Sequence, residues 1–307
     1  MRVELNGYFR ALPFTGSGQY LRHLAAALQR GYPGIEIVER EPPRALRGAL
    51  GKVFWEQVAW LRASRDGADA VRHVPYLAPP LADRACVVTA HDVIPFVLPA
   101  YGAGVLQRCY GLTVRVGLRG ARQIVADSEA TRRDLIRVMG LPAERIRTIP
   151  LGVDDRFRPA SARERARLRD ELGLPERFAL YLGSLDLRKN LSVLLRAWPQ
   201  VWARHHLPLV VAGRAPRPGS RVFVDWFKGL DARTAPWLVR RGFVEETVKP
   251  AIYQAATIFV FPSRYEGFGL DPLEAMAAGV PVVAAHAASL PEVVQGAGVL
   301  APPDDAQ

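Results

Sequence analysis

Cysteine is scarce: Cys86 and Cys109 are the only two in 307 residues. They are too few for a disulfide framework, and neither stands at metal-ligand spacing from a histidine, so both read as buried thiols. No apolar run approaches the ~18 residues needed to span a bilayer. The start, MRVELNGYF, is charged and strand-like and has no signal-peptide hydrophobic segment. A cytoplasmic protein is expected. No Asp-x-Asp pair occurs; Asp154–Asp155 falls in a linker-like stretch and Asp304–Asp305 at the chain end, so no metal site and no cofactor are expected. A third glycine is also missing after Gly16 and Gly18. Leu21 stands where a dinucleotide fingerprint requires it, which does not support a nicotinamide enzyme.

What is present is an ordinary globular composition, 49% hydrophobic and 23% charged, in a chain long enough for two packed cores. The formal net charge of +11 implies attraction to polyanions, or simply an arginine-rich composition. The segment Leu46 to Arg65 sets Phe54, Trp55 and Trp60 among Arg47, Lys52, Arg62 and Arg65. That mixture suits an anionic membrane surface, and it equally suits a helix packed by its aromatics with its arginines in water.

Strand and helix patterns alternate along the chain. Arg2 to Tyr8 reads as a strand and Gln19 to Gln29 as a helix with Leu21, Leu24, Ala25 and Leu28 on one face. Further strands are expected at Ile35 to Glu39, Ala85 to Thr89, Gln123 to Ala126 and Ile146 to Ile149, with a helix over Thr131 to Met139. After Pro150 comes a proline-bounded, arginine-rich stretch holding one exposed helix. The pattern then restarts with a strand at Phe178 to Leu182, a helix at Asn190 to Trp198, and strands at Pro208 to Ala212, Val239 to Phe243, Ile258 to Pro262 and Val280 to Ala284. This predicts an α/β protein of two Rossmann-like domains: residues 1–155, a connector 156–177, and residues 178–307. Ligands belong at the C-terminal ends of such strands, in a cleft between the domains.

The residues that carry chemistry concentrate in RYEGFGLDPLEAMAAGVPVV, Arg264 to Val283, where seven residues separate Glu266 from Glu274. Gly267 and Gly269 leave backbone N–H groups bare for an anion. Asp271 reads as a helix N-cap, Pro272 as the first helical residue and Gly279 as the stop; Glu274 is also three residues after Asp271, the spacing of a capping box. Arg188 and Lys189 end a loop after a strand, where cations can neutralise a diphosphate, or are ordinary surface charge. Gly16, Ser17 and Gly18 open a helix and either offer N–H groups to a donor's distal phosphate or to the acceptor, or form a bare tight turn. His91 follows a strand, with Asp92 beside it to orient the loop or to hold the ring.

The run Phe259 to Val294 closely resembles the nucleotide-sugar-binding motif of the family 4 glycosyltransferases, retaining enzymes of the GT-B fold. TGSGQYLRHLAAAL, TAHDVIPFVLPAY, ADSEATRRDL, IPLGVD and YLGSLDLRKNLSVLLRAW are similar to family signposts in the expected order. The resemblance implies that Glu266 approaches the donor sugar, Glu274 holds the ribose, and the backbone of Gly267, Phe268, Gly269 and Leu270 meets sugar and diphosphate. It places Lys189 on the phosphates, with Arg188 compensating for Ser184, where many members carry an arginine. It places Val244 against the nucleotide base and His91 near the reacting sugar, and makes residues 1–155 the acceptor-side domain and 178–307 the nucleotide-sugar-binding domain. GSLDLRKNL together with HDVIP most resembles mannosyl and related transferases of polysaccharide assembly, which implies GDP-mannose as donor, with a UDP-sugar as the alternative. The acceptor implied is a hydroxyl on a glycan or a lipid-linked intermediate; nucleic acid is not an expected partner. Family members usually continue with several more helices beyond the point where this sequence stops, so the resemblance implies a shortened C-terminal domain. A glycoside hydrolase, which also uses paired carboxylates, and a basic polyanion-binding protein remain as rivals.

Overall fold

A computed structural model describes residues 1–12, 15–63, 70–102, 104–215 and 217–306. The chain forms two compact units, 1–150 and 151–307. Each is built on a six-stranded, all-parallel sheet with helical crossovers.

In the first unit the strands are β1 (Arg2–Asn6), β2 (Glu36–Arg40), β3 (Ala70–Val74), β4 (Val87–Ala90), β5 (Gln123–Ala126) and β6 (Ile146–Thr148), in the order β2-β1-β3-β4-β5-β6. Parallel strands are covered on both faces, so polar residues on them need partners. Val3 and Leu5 of β1 bury one face against Leu21 and Ala25 of the helix Gly16–Gly31. On the opposite face Glu4 is fully buried between Arg2 at 3.1 Å and Arg40 at 2.9 Å, and the Asn6 side-chain oxygen accepts from the Trp55 indole at 2.9 Å. Strand β3 went unread in the sequence because Arg72 and His73 interrupt its apolar pattern. In the fold Arg72 is paired with Asp83 at 2.6 Å and His73 Nε2 meets the Thr89 hydroxyl at 2.8 Å.

The aromatic cluster of Leu46 to Arg65 divides between core and surface. The helix over 49–63 widens to a π-turn at Trp55–Ala59, and Trp55 and Trp60 are buried. Leu50, Val53 and Phe54 remain exposed. Lys52 is turned inward, 2.7 Å from the buried Glu56. Arg65 lies outside the described residues. The two thiols also differ from expectation: Cys86 is buried, whereas Cys109 is exposed on the helix Val105–Gly120.

In the second unit the strands are β7 (Ala179–Leu182), β8 (Leu209–Ala212), β9 (Leu238–Gly242), β10 (Ile258–Phe261), β11 (Val282–Ala285) and β12 (Val299–Ala301), ordered β12-β11-β10-β7-β8-β9. Counted within this sheet, the order is that of dinucleotide-binding folds, with its reversal between β7 and β10. Segment 151–177 packs on this unit: Phe157 is buried in its core, and the Arg169 guanidinium donates to the Ala255 carbonyl at 2.9 Å. The helix expected to stop before Pro199 runs from Leu191 to His205, because Trp198, Val201 and Trp202 pack on one of the unit's two apolar clusters. Among the described residues no helix is long and apolar enough to cross a membrane.

Candidate functional site

The reversal between β7 and β10 brings two loops together at the strands' carboxyl ends. After β7, Gly183 and Ser184 lead into a single turn, Leu187–Lys189, capped by the Asp186 carboxylate on the Arg188 N–H. After β10, residues 262–269 lead into the helix Leu270–Ala277. The Arg188 carbonyl accepts the Arg264 N–H at 2.9 Å and the Arg188 guanidinium donates to the Tyr265 carbonyl at 3.0 Å, which locks the loops together.

This juxtaposition creates a charge cluster. One oxygen of Glu266 takes the Arg188 guanidinium, the Lys189 ammonium and the Ser263 hydroxyl, each at 2.7 Å. Lys189 is buried with its ammonium 4.4 Å from the Phe261 ring centroid and also 3.3 Å from Asp271. Lys249, from the helix Lys249–Ala255, reaches Asp271 at 3.3 Å and Glu274 at 2.5 Å. Burial raises the Glu266 pKa, but Lys189 and Arg188 outweigh it and hold the carboxyl below its ordinary range. Asp271 is likewise held low against burial by Lys249 and Lys189. Glu274 behaves oppositely: burial pushes it up to about 7, because its one cation is shared with Asp271, whose charge adds to the rise. Burial opposes the charge of Lys249, yet two carboxylates raise its pKa. Lys249 therefore stays protonated, and Glu274 is the member whose charge gives way first.

The local structure departs from the capping pattern read in the sequence. Gly269, at φ 119°, precedes the first helical residue, Leu270, and Asp271 lies inside the first turn with its carboxylate on lysines rather than on backbone N–H groups. Glycine at 269 is also required by space, since a Cβ there would lie 2.9 Å from Leu290. The Ser289 hydroxyl accompanies the loop by donating to the carbonyls of Glu266 and Phe268. The helix ends one residue early, at Ala277, and Gly279 follows at φ 75°. The Ser184 hydroxyl donates to Asp186 at 2.7 Å. Val244 packs against the second unit's core. Lys249 and Asp271 were not expected as site residues; an apolar-looking KPAIYQA helix gives no sign that its lysine turns inward.

In the first unit, His91 Nδ1 lies 2.7 Å from Asp127 and Nε2 3.2 Å from the Pro75 carbonyl. Both neighbours are acceptors, so this geometry suits an imidazolium donating from both nitrogens. Burial works against that charge, but Asp127 outweighs it and the pKa is raised. Asp92 instead accepts the Ile94 N–H at 2.9 Å. The partner of the ring is thus Asp127, from the segment ADSEATRRDL, and spacing along the chain gives no hint of it. Tyr20 meets the ring edge-on at 4.7 Å. At the start of the helix Gly16–Gly31, Thr15 caps the Gly18 N–H at 3.1 Å, and Gly18 is pressed on the Leu12 and Phe9 carbonyls, where a Cβ would not fit. Ser17 and His91 both line a cavity of about 600 Å³ that belongs to this unit alone.

Comparison with known proteins covers both units. Residues 14–157 match the family model described as Glycosyltransferase Family 4, and residues 176–307 the model described as Glycosyl transferases group 1. The chain is 35% identical over 250 residues to O-antigen chain mannosyltransferase B of Escherichia coli, an alignment spanning 80% of this chain and 64% of that protein. Among solved structures it is similar to sucrose-phosphate synthase from Thermosynechococcus elongatus, with a TM-score of 0.73 at 20% identity over 100% of this chain and 87% of that one. It is also similar to the Anabaena protein HepE in complex with UDP and glucose, with a TM-score of 0.69 at 19% identity over 100% and 86% of the two chains.

Proposed function

This chain belongs to the group 1, family 4 glycosyltransferases and has their GT-B fold, and from that premise we propose that it moves a hexose from a nucleotide diphosphate sugar to a hydroxyl acceptor. The observation that carries the reading is the cluster of Arg188, Lys189 and Lys249 with Glu266, Asp271 and Glu274 at the switch point of the second unit's sheet. A diphosphate arriving there competes with Glu266 for Lys189 and Arg188. It releases the carboxylate toward the sugar while the two cations offset the charge of the leaving group. The helix Leu270–Ala277 adds its N-terminal N–H groups. Glu274 is assigned to the ribose, Val244 to the base through main-chain groups, and Gly267, Phe268, Gly269 and Leu270 to sugar and diphosphate. Ser184 serves through Asp186. In the first unit the N–H groups of Gly16 and Ser17 are assigned to a phosphate, since among the described residues that of Gly18 is taken by Thr15.

No enzyme nucleophile is required for retention by front-face substitution. The acceptor oxygen bonds to the anomeric carbon on the face that the diphosphate leaves, the carbon–oxygen bond to the diphosphate breaks, and a donor phosphate oxygen takes the acceptor's proton. Glu266, kept ionised by Lys189 and Arg188, offsets positive charge on the sugar, and His91 is the first unit's contribution to transfer. The likeness to an O-antigen mannosyltransferase favours GDP-mannose and a glycan acceptor of polysaccharide assembly, and the HepE complex favours a UDP-sugar as the alternative. Titration with GDP-mannose and UDP-glucose tests the reading; binding of neither by the folded protein overturns it.

Docking of the first unit on an anionic membrane is a subordinate proposal, supported by exposed Leu50, Val53 and Phe54 beside Arg47. It places the protein on the inner face of the cytoplasmic membrane.

A further inference from the structure

Residues 243–248, which carry the assignment of the base, leave the edge of the second unit's sheet. Strand β9 pairs with β8 through a register shift between Val211 and Ala212, and the ladder closes where the Gly213 N–H donates to the Gly242 carbonyl at 2.8 Å. Gly242, at φ 74°, turns the chain away. At the near end of the segment the Arg214 guanidinium lies 4.4 Å from the exposed Phe243 ring, and the Val244 side chain packs on the core. At the far end the Glu245 carbonyl accepts the N–H groups of Val248 and Lys249 at 3.0 and 3.1 Å, which opens the helix Lys249–Ala255.

The middle of the segment is held by a residue 90 positions earlier in the chain. The Arg156 guanidinium donates to the Glu246 carbonyl at 3.2 Å and to its carboxylate at 3.0 Å, so backbone and side chain of one residue are gripped together. Asp154 at 3.3 Å and the Phe157 ring at 5.4 Å orient the same guanidinium. Phe157 is buried in the core and meets the Tyr253 ring edge-on at 5.9 Å, and the Tyr253 hydroxyl donates to Asp271 of the charge cluster at 3.4 Å. Gln254, on the same helix as Tyr253, donates to the Arg158 carbonyl at 2.7 Å. The stretch 154–158 is therefore tied both to the base segment and to the helix that follows it. An isolated exposed ion pair contributes little, but a planar guanidinium already oriented by two neighbours, and holding a main-chain carbonyl as well, loses less freedom in forming its contacts.

We infer that Arg156 is a positioning residue for the nucleobase: it holds the main chain of residues 244–246 in the conformation that reads the base, and so sets how well the site tells one nucleoside from another. The inference rests on the transferase reading above and adds a specificity residue from the stretch that joins the two units. Affinity that depends on a formed segment falls with the fraction of molecules in which the segment is formed. The phosphate contacts are built separately. Lys189 and Arg188 are placed by Glu266, Asp271 and the Tyr265 carbonyl, and Arg156 touches none of these.

The test is calorimetric titration of the full chain with GDP, UDP and pyrophosphate, in the wild type and in Arg156→Gln. The better-bound nucleotide should weaken about fivefold in the variant, the upper scale of a surface ion pair. The ratio of GDP to UDP affinity should move toward one, and pyrophosphate affinity should not change. Glu246→Gln keeps the carbonyl contact and should lose less, while the double variant should lose no more than Arg156→Gln alone, because both changes act through one contact. Pyrophosphate weakened by the same factor as the nucleotide, a GDP-to-UDP ratio that does not move, or additive losses in the double variant overturns the inference and leaves the donor reading standing. A wild type that binds pyrophosphate but neither nucleotide overturns the donor reading, and the inference with it.

Discussion

Replacing Lys249 by methionine removes a charge from the centre of the donor cluster while keeping a side chain of similar length, and its effect is computable from the geometry. Glu274 faces Lys249 at 2.5 Å, with Asp271, Glu246 and Tyr253 also near, and burial already pushes it up to about 7. If ribose hydroxyls bind only the ionised carboxylate, wild-type nucleotide affinity should be about tenfold weaker at pH 6 than at pH 8, the ratio of ionised fractions for a group titrating near 7. Loss of a close opposite charge moves a carboxyl by about one to three units. A shift of about two units would cut affinity at pH 7 on the order of fiftyfold, about 2–3 kcal/mol, and carry the midpoint of the pH profile to roughly 9. The same raised pKa means that titration of Glu274 favours folding at pH values below its unfolded 4.5, an advantage lost as pH rises through about 7. Affinity is read by calorimetry from pH 6 to 9 with thermal melts alongside, and Glu274→Gln in the Lys249→Met background serves as control. An affinity lost by one factor at every pH, or unchanged, would refute the positioning of Glu274 by Lys249.

Four further outcomes follow from the same geometry. Glu266→Gln should lower turnover by about 10²- to 10³-fold, as loss of an electrostatic contributor does, without weakening nucleotide affinity, since it frees Lys189 and Arg188; wild-type turnover would remove Glu266 from the chemistry. Transfer should persist in excess chelator, and activity that disappears and returns with added magnesium or manganese would contradict a charge-only leaving-group site. Gly269→Ala should cost about 1–3 kcal/mol in denaturant unfolding, from the strain of a left-handed alanine plus contact with Leu290; an unchanged melt would show that the loop relaxes freely. Anionic vesicles should retain the protein at low salt and release it at high salt, with retention reduced in Leu50→Ser, Phe54→Ser; equal sedimentation with neutral vesicles would assign those residues to something other than a charged membrane.

Most of the fold was legible because its strands are short, largely apolar runs bounded by turn residues and separated by helical patterns. Strand β3 was not, since its Arg72 and His73 find their partners, Asp83 and Thr89, only in three dimensions. The helix Val105–Gly120 was missed for a related reason: Gly111 and Gly117 weaken its local signal, while their close approach to Phe96 and Pro79 is a property of packing. Glu266, Glu274, Arg188 and Lys189 were expected near one another, and the second unit brings all four into one cluster. What the chain could not show is how that cluster is balanced. Lys249 is 17 residues before Glu266, and Asp271 imitates a helix cap in sequence while acting as the partner of two lysines in the fold. In the same way Asp127, not the adjacent Asp92, holds His91.

In the proposed function, the charge cluster at the β7 and β10 strand ends binds a nucleotide diphosphate sugar. Calorimetric titration of GDP-mannose and UDP-glucose into the wild-type chain and into Lys189→Ala, at pH 8, tests it most directly. Saturable binding of one of the two donors to the wild type is expected, with at least a tenfold loss in the variant and both proteins folded by circular dichroism. Binding that is indifferent to Lys189, or no binding of either donor, would contradict it.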